Sequence, residues 1–398
     1  MKTKAGGEER YRIIVNCISV KKRSGGAFQI AQNFIKSTLD NKDFEWYYWL
    51  SEDLKEFKDE FLEDILPTRV MIFPTQPDWK KTYWRVKRLL IKIEKEIEPD
   101  LIYTVASPSY FSYRAKEVMR YANAWHVNPN KFAYHKLSTK AKIRYKVYTR
   151  LQKFLIGRAN YFLTQTQSSK EGIVKVTSIP HSHVEVVPNT LPDVYKGFRK
   201  EIKQDSISKN DVVNILYVAV PHPHKNLEII PKVLKDLSMR CPSKKIIFHL
   251  TIPDSGFLLR FSEECKKLDV EEFIINHGYC SQEELILLYK NSDICFFPSL
   301  LETFSLSVLE AIYFGVPMVA ADLSFNRDIA GNSILYFAPD DEKQAVDQLF
   351  RLINDDKLHE QLLLKMNDFV SNETQYFNYD ASFQKTIDFF IKIINSGR

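Results

Sequence analysis

Residues 296–322, FFPSLLETFSLSVLEAIYFGVPMVAAD, restrict the possible fold more than any other stretch of this 398-residue chain. An apolar run ends at Ser299, and a polar loop carrying Glu302 follows it. The next helix holds Glu310 and stops at Gly315, before a second apolar run begins. Such a strand–loop–helix–strand unit is typical of open α/β sheets, in which ligands bind at the carboxyl ends of strands, beside helix N-termini. Two carboxylates placed there suit a ligand that is rich in hydroxyl groups.

Strands and helices alternate along the rest of the chain, which favours parallel sheets covered by helices. Strands are predicted at 12–18, 44–50, 69–73, 100–106, 161–166, 183–187, 214–220, 245–252 and 293–298. Helices are predicted at 27–39, 79–98, 137–156, 227–239, 344–354 and 379–394, and one more begins at Ser281, where Glu284 forms a capping box. The predicted fold class is therefore α/β, with two doubly wound, Rossmann-like domains.

The stretch around 188–211 is polar and has no hydrophobic periodicity, so it separates the two domains. We predict an N-terminal domain at 1–190, a linker at 191–211 and a C-terminal domain at 212–376. The last segment, 377–398, is predicted to be a C-terminal helix.

The 296–322 unit resembles the E-x7-E signature of the retaining, nucleotide-sugar-dependent glycosyltransferases of family 4, which belong to the group 1 type. The whole frame is in register with that signature: Phe304, Leu309-Glu310-Ala311, Gly315-Val316-Pro317 and Asp322. Residues 322–340 are most similar to mannosyl- and rhamnosyltransferase-like members. The resemblance implies the GT-B architecture, in which two Rossmann-like domains face each other across a cleft and the last helix returns to the first domain. It also implies that the N-terminal domain binds the acceptor and the C-terminal domain binds the nucleotide sugar.

The resemblance also implies roles for the residues of this unit. The first glutamate of the signature faces the donor sugar and the second bonds both ribose hydroxyls; Glu302 and Glu310 hold these places. A charge-assisted hydrogen bond of this kind contributes roughly 1.5–3 kcal/mol. Phe304, Ser305 and Leu306 continue the donor-binding loop, with Ser305 where the family usually has Gly. Considered without the frame, the two glutamates could equally be solvated acids beside an ordinary helix.

A second loop, after the predicted strand at 214–220, carries Lys225 at the start of a helix, which is a plausible place to bind a diphosphate. In the family this loop holds an Arg and a Lys that neutralise the leaving diphosphate, and Lys225 matches the lysine. The arginine is absent, so His222 or His224 could replace it in part. The alternative is that Lys225 is an exposed lysine at a helix start.

Two features of the first half are also candidates. Gly25 and Gly26 follow the first predicted strand, where glycine lets a backbone come close to an anion at a helix N-terminus. Their place matches the phosphate-facing loop of the family, although tight turns also use such pairs. By the same resemblance His126 is the candidate for the acceptor side, the alternative being a hydrogen-bonded structural histidine.

Net charge is +6, yet no Asp or Glu occurs from 118 to 170, which favours a polyanionic partner. The basic helix predicted from Leu137 to Ile156 carries apolar residues at helical spacing, as does the helix at 79–98. Both apolar stripes could be domain core. The alternative is that they bind an anionic membrane surface, where each nearby Lys or Arg contributes roughly 1 kcal/mol.

Together these patterns predict an enzyme: a retaining, metal-independent glycosyltransferase without a cofactor. It would move a sugar from a nucleoside-diphosphate donor onto a glycan or lipid-linked acceptor in surface polysaccharide assembly (lipopolysaccharide, O-antigen or capsule). The alternative is a non-catalytic sugar-nucleotide or polyanion-binding protein of the same fold. Nucleic acid is not an expected partner, because it would explain the acid-free stretch but not the E-x7-E frame.

The expected location is the cytoplasm, with the protein peripheral on the inner face of the membrane. No run of eighteen apolar residues occurs, the N-terminal residues lack the apolar core of a signal peptide, and the five cysteines are widely spaced.

Overall fold

The computed structural model describes residues 2–4, 7–22, 26–63, 65–76, 81–199, 207 and 210–396. Its contacts divide the chain into two units. The first unit comprises Met1–Val127, Arg144–Val187 and Asp380–Arg398, and the second comprises Asn128–Ile143 and Pro188–Tyr379.

The strands, in chain order, are β1 (Lys2–Lys4), β2 (Gly7–Glu9), β3 (Tyr11–Cys17), β4 (Phe44–Ser51), β5 (Val70–Phe73), β6 (Leu101–Thr104), β7 (Lys116–Arg120), β8 (Tyr161–Thr164), β9 (Val184–Val186), β10 (Val212–Tyr217), β11 (Lys245–Leu250), β12 (Ile274–Asn276), β13 (Ile294–Phe297), β14 (Met318–Ala321) and β15 (Leu335–Phe337).

The helices are α1 (Gly26–Asp40), α2 (Lys55–Phe61), α3 (Tyr83–Ile97), α4 (Ala124–Val127), α5 (Lys131–His135), α6 (Thr139–Ile156), α7 (Gln167–Thr177), α8 (Ile230–Arg240), α9 (Gly256–Lys267), α10 (Gln282–Lys290), α11 (Leu306–Phe314), α12 (Ser324–Ala330), α13 (Glu342–Asn354), α14 (Asp356–Asn372) and α15 (Tyr379–Asn395). No helix in the described part of the chain is long and apolar enough to cross a bilayer.

The first unit is built on a seven-stranded parallel sheet in the order β5-β4-β3-β6-β7-β8-β9, and β1 and β2 form a separate antiparallel pair. Successive residues of β3 point to opposite faces, so Ile13 and Val15 pack in one core layer while Ile14 packs in the other. Helix α15 contributes to the first of these layers, where Phe390 contacts Phe34 and Tyr103.

The second unit is built on a six-stranded parallel sheet in the order β12-β11-β10-β13-β14-β15. Strands β13 and β14 are apolar and buried throughout, as expected for parallel strands that are covered on both faces. The strand order reverses between β10 and β13, because the chain adds β11 and β12 on one side of β10 and then β13, β14 and β15 on the other; this parallel pair therefore forms the topological switch point of the sheet. The loops that follow β10 and β13 therefore leave the same edge side by side.

The predicted fold class is confirmed, because both sheets are parallel, doubly wound and Rossmann-like. The capping box is also confirmed: Ser281 caps α10, and Glu284 returns the hydrogen bond. The sequence did not reveal strands β1, β2, β7, β12 and β15 or helices α2, α4, α5, α7, α9, α12 and α14. Strands β7, β12 and β15 are short or carry charged residues, which hides the periodicity of a strand.

Two segments that the sequence placed outside the C-terminal domain belong to the second unit. Leu191 and Tyr195 lie in the stretch predicted as a linker, yet both are buried in the core of the second unit. Residues 128–143 lie in the predicted N-terminal domain, yet they group with the second unit. Hydrogen bonds explain this grouping, since Asn128 and Asn130 both bond to the loop after β13.

Candidate functional site

The loops after β10 and β13 bring Lys225 and Glu302 together at the switch point of the second unit. The Lys225 ammonium lies 2.5 Å from Glu302 Oε1, and the two side chains are 20% and 16% exposed. Ser299 Oγ donates to the same oxygen at 2.7 Å. Among the described residues no hydrogen bond reaches Glu302 Oε2, so one carboxylate oxygen and part of the ammonium stay available to a ligand.

The backbone of the two loops holds this pair in register. Leu300 N–H donates to the His224 carbonyl at 2.7 Å, and the Tyr217 hydroxyl donates to the Lys225 carbonyl at 2.7 Å. Asn226 then turns the chain with a left-handed φ of 55°, a conformation that Asn tolerates better than most residues. Lys225 is therefore fixed from both sides, as a residue that binds a small charged group needs to be.

The two histidines before Lys225 are stacked, with ring centroids 5.4 Å apart. Burial lowers the pKa of His224 to about 4; the Glu302 carboxylate opposes this shift, whereas Lys225 and His222 add to it. The free protein therefore holds His224 neutral at pH 7, where it can donate a hydrogen bond but brings no positive charge. Whether His222 or His224 replaces the arginine in part stays a prediction.

Glu310 lies in α11 and is almost completely buried. The Tyr289 hydroxyl donates to its Oε2 at 2.7 Å. Burial raises the pKa of this carboxyl, and hydrogen bonds from Tyr289 and Tyr195 oppose the rise. Both tyrosines pack on Phe314, which fixes their rings behind the carboxylate. An ionised carboxylate accepts about four hydrogen bonds, so two acceptor sites are left after the tyrosines are counted.

The start of α11 lies between these carboxylates. Phe304 is buried against Tyr376, with ring centroids 6.0 Å apart. Ser305 is the N-cap residue, but its side chain makes no capping hydrogen bond, and Leu306 is the first helical residue. The first amides of a helix that are not capped form a favourable place for an anion.

The first-domain candidates lie in the first unit. Gly25 is outside the described residues, and Gly26 is the first, exposed residue of α1. His126 is buried in α4, where its Nδ1 hydrogen-bonds to the Tyr121 hydroxyl. Burial lowers the pKa of His126 to about 4, and its buried Nε2 has no hydrogen-bond partner among the described residues. The roles predicted for these three residues stay predictions.

Most of the apolar stripe of the basic helix α6 is exposed and is not part of a domain core. Four of its apolar side chains are exposed: Ile143 at 61%, Val147 at 66%, Leu151 at 51% and Phe154 at 65%. The buried side chains of this helix are those of Gln152, Leu155 and Ile156, all toward its C-terminal end. In α3, by contrast, most of the stripe is core, because Val86, Leu90, Ile93 and Ile97 are buried.

Sequence reasoning missed the residues that support the carboxylates. Tyr289 and Tyr195 carry no motif, and Asn128 and Asn130 lie far from Glu302 along the chain. Only the fold brings them together. No three His, Cys, Asp or Glu side chains are grouped as a metal site in the part of the chain that the structure describes.

Residues 198–363 match the family model of the glycosyl transferases group 1, and the matched stretch contains Lys225, Glu302 and Glu310. A curated relative, the O-antigen chain mannosyltransferase RfbU of Salmonella typhimurium, is 25% identical over 200 residues, which are 50% of this chain and 52% of the relative. The chain thus spans about half the length of the curated relative that it matches.

Solved structures resemble the whole chain. The apo form of the lipopolysaccharide outer core galactosyltransferase WaaB gives a TM-score of 0.65 at 14% identity, over 96% of this chain and 99% of WaaB. HepE of Anabaena, in complex with UDP-glucose, gives 0.65 at 16% identity, over 98% and 100% of the two chains. At these identities the likeness establishes the fold, which is the GT-B fold of glycosyltransferases.

Proposed function

We propose that this chain is a retaining group 1 glycosyltransferase that transfers a sugar from a nucleoside diphosphate onto a glycan or lipid-linked acceptor. The observation that carries the proposal is the contact between Lys225 and Glu302 at the switch point of the second unit, within the stretch that matches the group 1 model. The similarity to an O-antigen mannosyltransferase supports surface polysaccharide assembly as the setting.

The donor would lie along the carboxyl edge of the second sheet. Glu310 would accept the ribose hydroxyls, Glu302 would face the sugar, and Lys225 with the uncapped amides of α11 would hold the diphosphate. The HepE complex with UDP-glucose supports a nucleotide sugar as the ligand of this fold. No step of this arrangement requires a bound metal, since Lys225 and the helix amides supply the positive potential.

The transfer itself would proceed on one face of the sugar. The bond from the anomeric carbon to the diphosphate oxygen breaks, and the acceptor oxygen bonds to the same face of that carbon. A phosphate oxygen takes the proton of the acceptor hydroxyl, so no protein nucleophile is needed. Lys225 stabilises the charge that develops on the leaving diphosphate, which is the type of interaction that contributes most to catalysis. His126 is assigned to the acceptor side.

A turnover assay tests the donor assignment. The protein is incubated with a panel of UDP- and GDP-sugars, with and without EDTA, and the nucleoside diphosphate released is measured. Lys225→Ala and Glu302→Gln should reduce turnover by at least about 100-fold, as expected for a lost transition-state contact of roughly 3 kcal/mol. Lys232→Ala, on the exposed side of α8, is the matched control and should leave turnover unchanged.

The same assay separates the alternatives. Nuclear magnetic resonance of the first-formed product shows whether the anomeric configuration of the donor is retained. An inverted product would contradict the retaining mechanism. Binding of a nucleotide sugar without turnover under any condition would favour the non-catalytic sugar-nucleotide protein. Loss of activity with EDTA, restored by a divalent cation, would contradict metal independence.

The exposed apolar face of α6 supports an anionic membrane surface as the place where a lipid-linked acceptor is met. Val147, Leu151 and Phe154 are exposed on a helix that also exposes Arg144 and Lys146, within a stretch that has no acidic residue. Apolar side chains ringed by basic ones match an interface in which lipid tails lie beneath anionic headgroups. The protein would then be peripheral on the inner face of the membrane.

Vesicle co-sedimentation tests this surface. The protein should sediment with vesicles that contain phosphatidylglycerol and should stay in solution with pure phosphatidylcholine. Val147→Ser should weaken the binding several-fold, because it removes an exposed apolar side chain from the face. Leu259→Ser is the matched control, since Leu259 is equally exposed at 68% but lies on α9 in the second unit. Equal recovery with both vesicle types would refute the assignment.

A further inference from the structure

The short segment from Asn128 to Asn130 touches the loop that carries Glu302. The Asn128 side-chain amide donates to the Glu302 carbonyl at 2.8 Å, and the Asn130 amide donates to the Leu300 carbonyl at 2.8 Å. Residues 128–143 group with the second unit, so these contacts lie within one compact body. They link two stretches that are about 170 residues apart in sequence.

The Leu300 carbonyl precedes Leu301 and Glu302 in the chain and the Glu302 carbonyl follows them, so the two bonds set the backbone path through Glu302. The Leu300 N–H already bonds to the His224 carbonyl, so the loop is held on both sides at that residue. When a carbonyl on each side of a short turn is fixed, the direction of the intervening Cα–Cβ bonds is fixed as well. The amides thus act on the direction in which the Glu302 side chain leaves the backbone.

The segment is itself well anchored. Asn130 Oδ1 caps α5 by accepting from Ala133 N–H at 3.0 Å. Lys136, which is half-buried, lies 2.8 Å from Asp340 and 3.9 Å from Glu228. Helix α5 also packs against the turn that holds Lys225. A support of this kind keeps the two amides in place instead of leaving them to solvent.

We propose that Asn128 and Asn130 are positioning residues for Glu302, which act through the loop backbone and not by contact with the substrate. The inference rests on the proposed function, in which Glu302 faces the donor sugar. It assigns a role in sugar recognition to a segment that the sequence places in the acceptor-binding half of the chain. Glu310 is held by the Tyr289 and Tyr195 hydroxyls, so ribose recognition should not depend on the two amides.

The test uses Asn130→Asp, which keeps the cap and removes the hydrogen bonds that the side-chain amide donates to the Leu300 and Asn128 carbonyls. Asp caps a helix about as well as Asn, so α5 is preserved, while a carboxylate oxygen faces the Leu300 carbonyl. Asn354→Asp is the matched control, because it removes an amide-to-carbonyl bond of the same 2.8 Å length on α13. Calorimetry gives the dissociation constants of the nucleoside diphosphate and of its nucleotide sugar, and a turnover assay gives kcat and KM.

We expect Asn130→Asp to bind the nucleoside diphosphate like the wild type, within about twofold. The nucleotide sugar binds more tightly than the nucleoside diphosphate by a factor that measures the contribution of the sugar. This factor should fall about two- to tenfold, as expected for the loss of one hydrogen bond to the loop, and kcat should fall with it. Asn354→Asp should change neither value. Equal loss of nucleotide and nucleotide-sugar affinity, or no change at all, would overturn the inference. A wild type that binds no nucleoside diphosphate would instead overturn the proposed function.

Discussion

Replacing Glu310 with glutamine should weaken nucleotide binding while leaving the protein at least as stable. Glu310→Gln keeps the shape of the side chain, so Tyr289 and Tyr195 keep a hydrogen-bonding partner. The wild-type carboxyl has a pKa raised by burial, which means that its ionisation at neutral pH costs folding free energy. The protein loses stability as the pH rises through the folded-state pKa of such a group. Glutamine cannot ionise, so it removes that cost.

The expected loss of nucleotide affinity follows from the number of hydrogen bonds that the Glu310 carboxylate can still accept. Two acceptor sites of the Glu310 carboxylate are left for the two ribose hydroxyls, and each charge-assisted bond contributes roughly 1 kcal/mol more than a neutral one. If this difference is lost for both hydroxyls, binding is weakened by about 2 kcal/mol, which corresponds to a 10- to 100-fold larger dissociation constant. Because the ionised form is required, affinity should also fall as the solution is acidified through the raised pKa of Glu310.

Calorimetry with the nucleoside diphosphate and its 2′-deoxy analogue is the appropriate assay. The wild type should prefer the ribonucleotide, and Glu310→Gln should lose most of that preference. Tyr289→Phe should lower affinity less, since the carboxylate remains but loses one supporting hydroxyl. The same ribose-to-deoxyribose ratio in wild type and Glu310→Gln would refute the assignment of Glu310 to the ribose, whatever happened to total affinity.

Two further predictions concern stability. Gly172→Ala should lower the melting temperature strongly, because a Cβ atom there would lie 2.0 Å from the Val127 carbonyl oxygen, whereas Gly26→Ala meets nothing within 4 Å and should be tolerated. Burial raises the pKa of Glu117 from 4.5 to about 7, so Glu117→Gln should stabilise the protein relative to wild type by up to about 3 kcal/mol at pH 8.5 and by little at pH 4.5. Melting temperatures across pH check both, and a Glu117→Gln effect that did not grow with pH would contradict the second.

The centre of the second unit could be predicted because its signals are local. An apolar strand, a loop acid, a helix and a terminating Gly315 lie within 27 residues, and the structure places each element where the sequence indicated. Strand β7 was hidden because Glu117 and Arg120 look solvent-exposed in sequence. In the structure Glu117 is buried, and the Thr104 hydroxyl donates a hydrogen bond to its carboxylate at 2.5 Å.

Long-range support of the site could not be predicted in the same way. Tyr195 lies in a polar stretch without periodicity, and only packing on Phe314 brings it to Glu310. The exposure of α6 was also open, because an apolar stripe at helical spacing is compatible with either a core or a docking face. The first-domain roles proposed for Gly26 and His126 depend on an acceptor, about which local sequence patterns carry little information.

The central claim is that the second unit binds a nucleoside-diphosphate sugar without a metal. Thermal unfolding against a panel of nucleotides and nucleotide sugars, with and without EDTA, tests it most directly. A ligand present at 100 times its dissociation constant adds about 2.7 kcal/mol of stability. We predict selective stabilisation by one nucleoside diphosphate and its sugar, unchanged by EDTA and reduced in Glu310→Gln. Stabilisation by heparin or another polyanion alone, with no response to any nucleotide, would contradict the account.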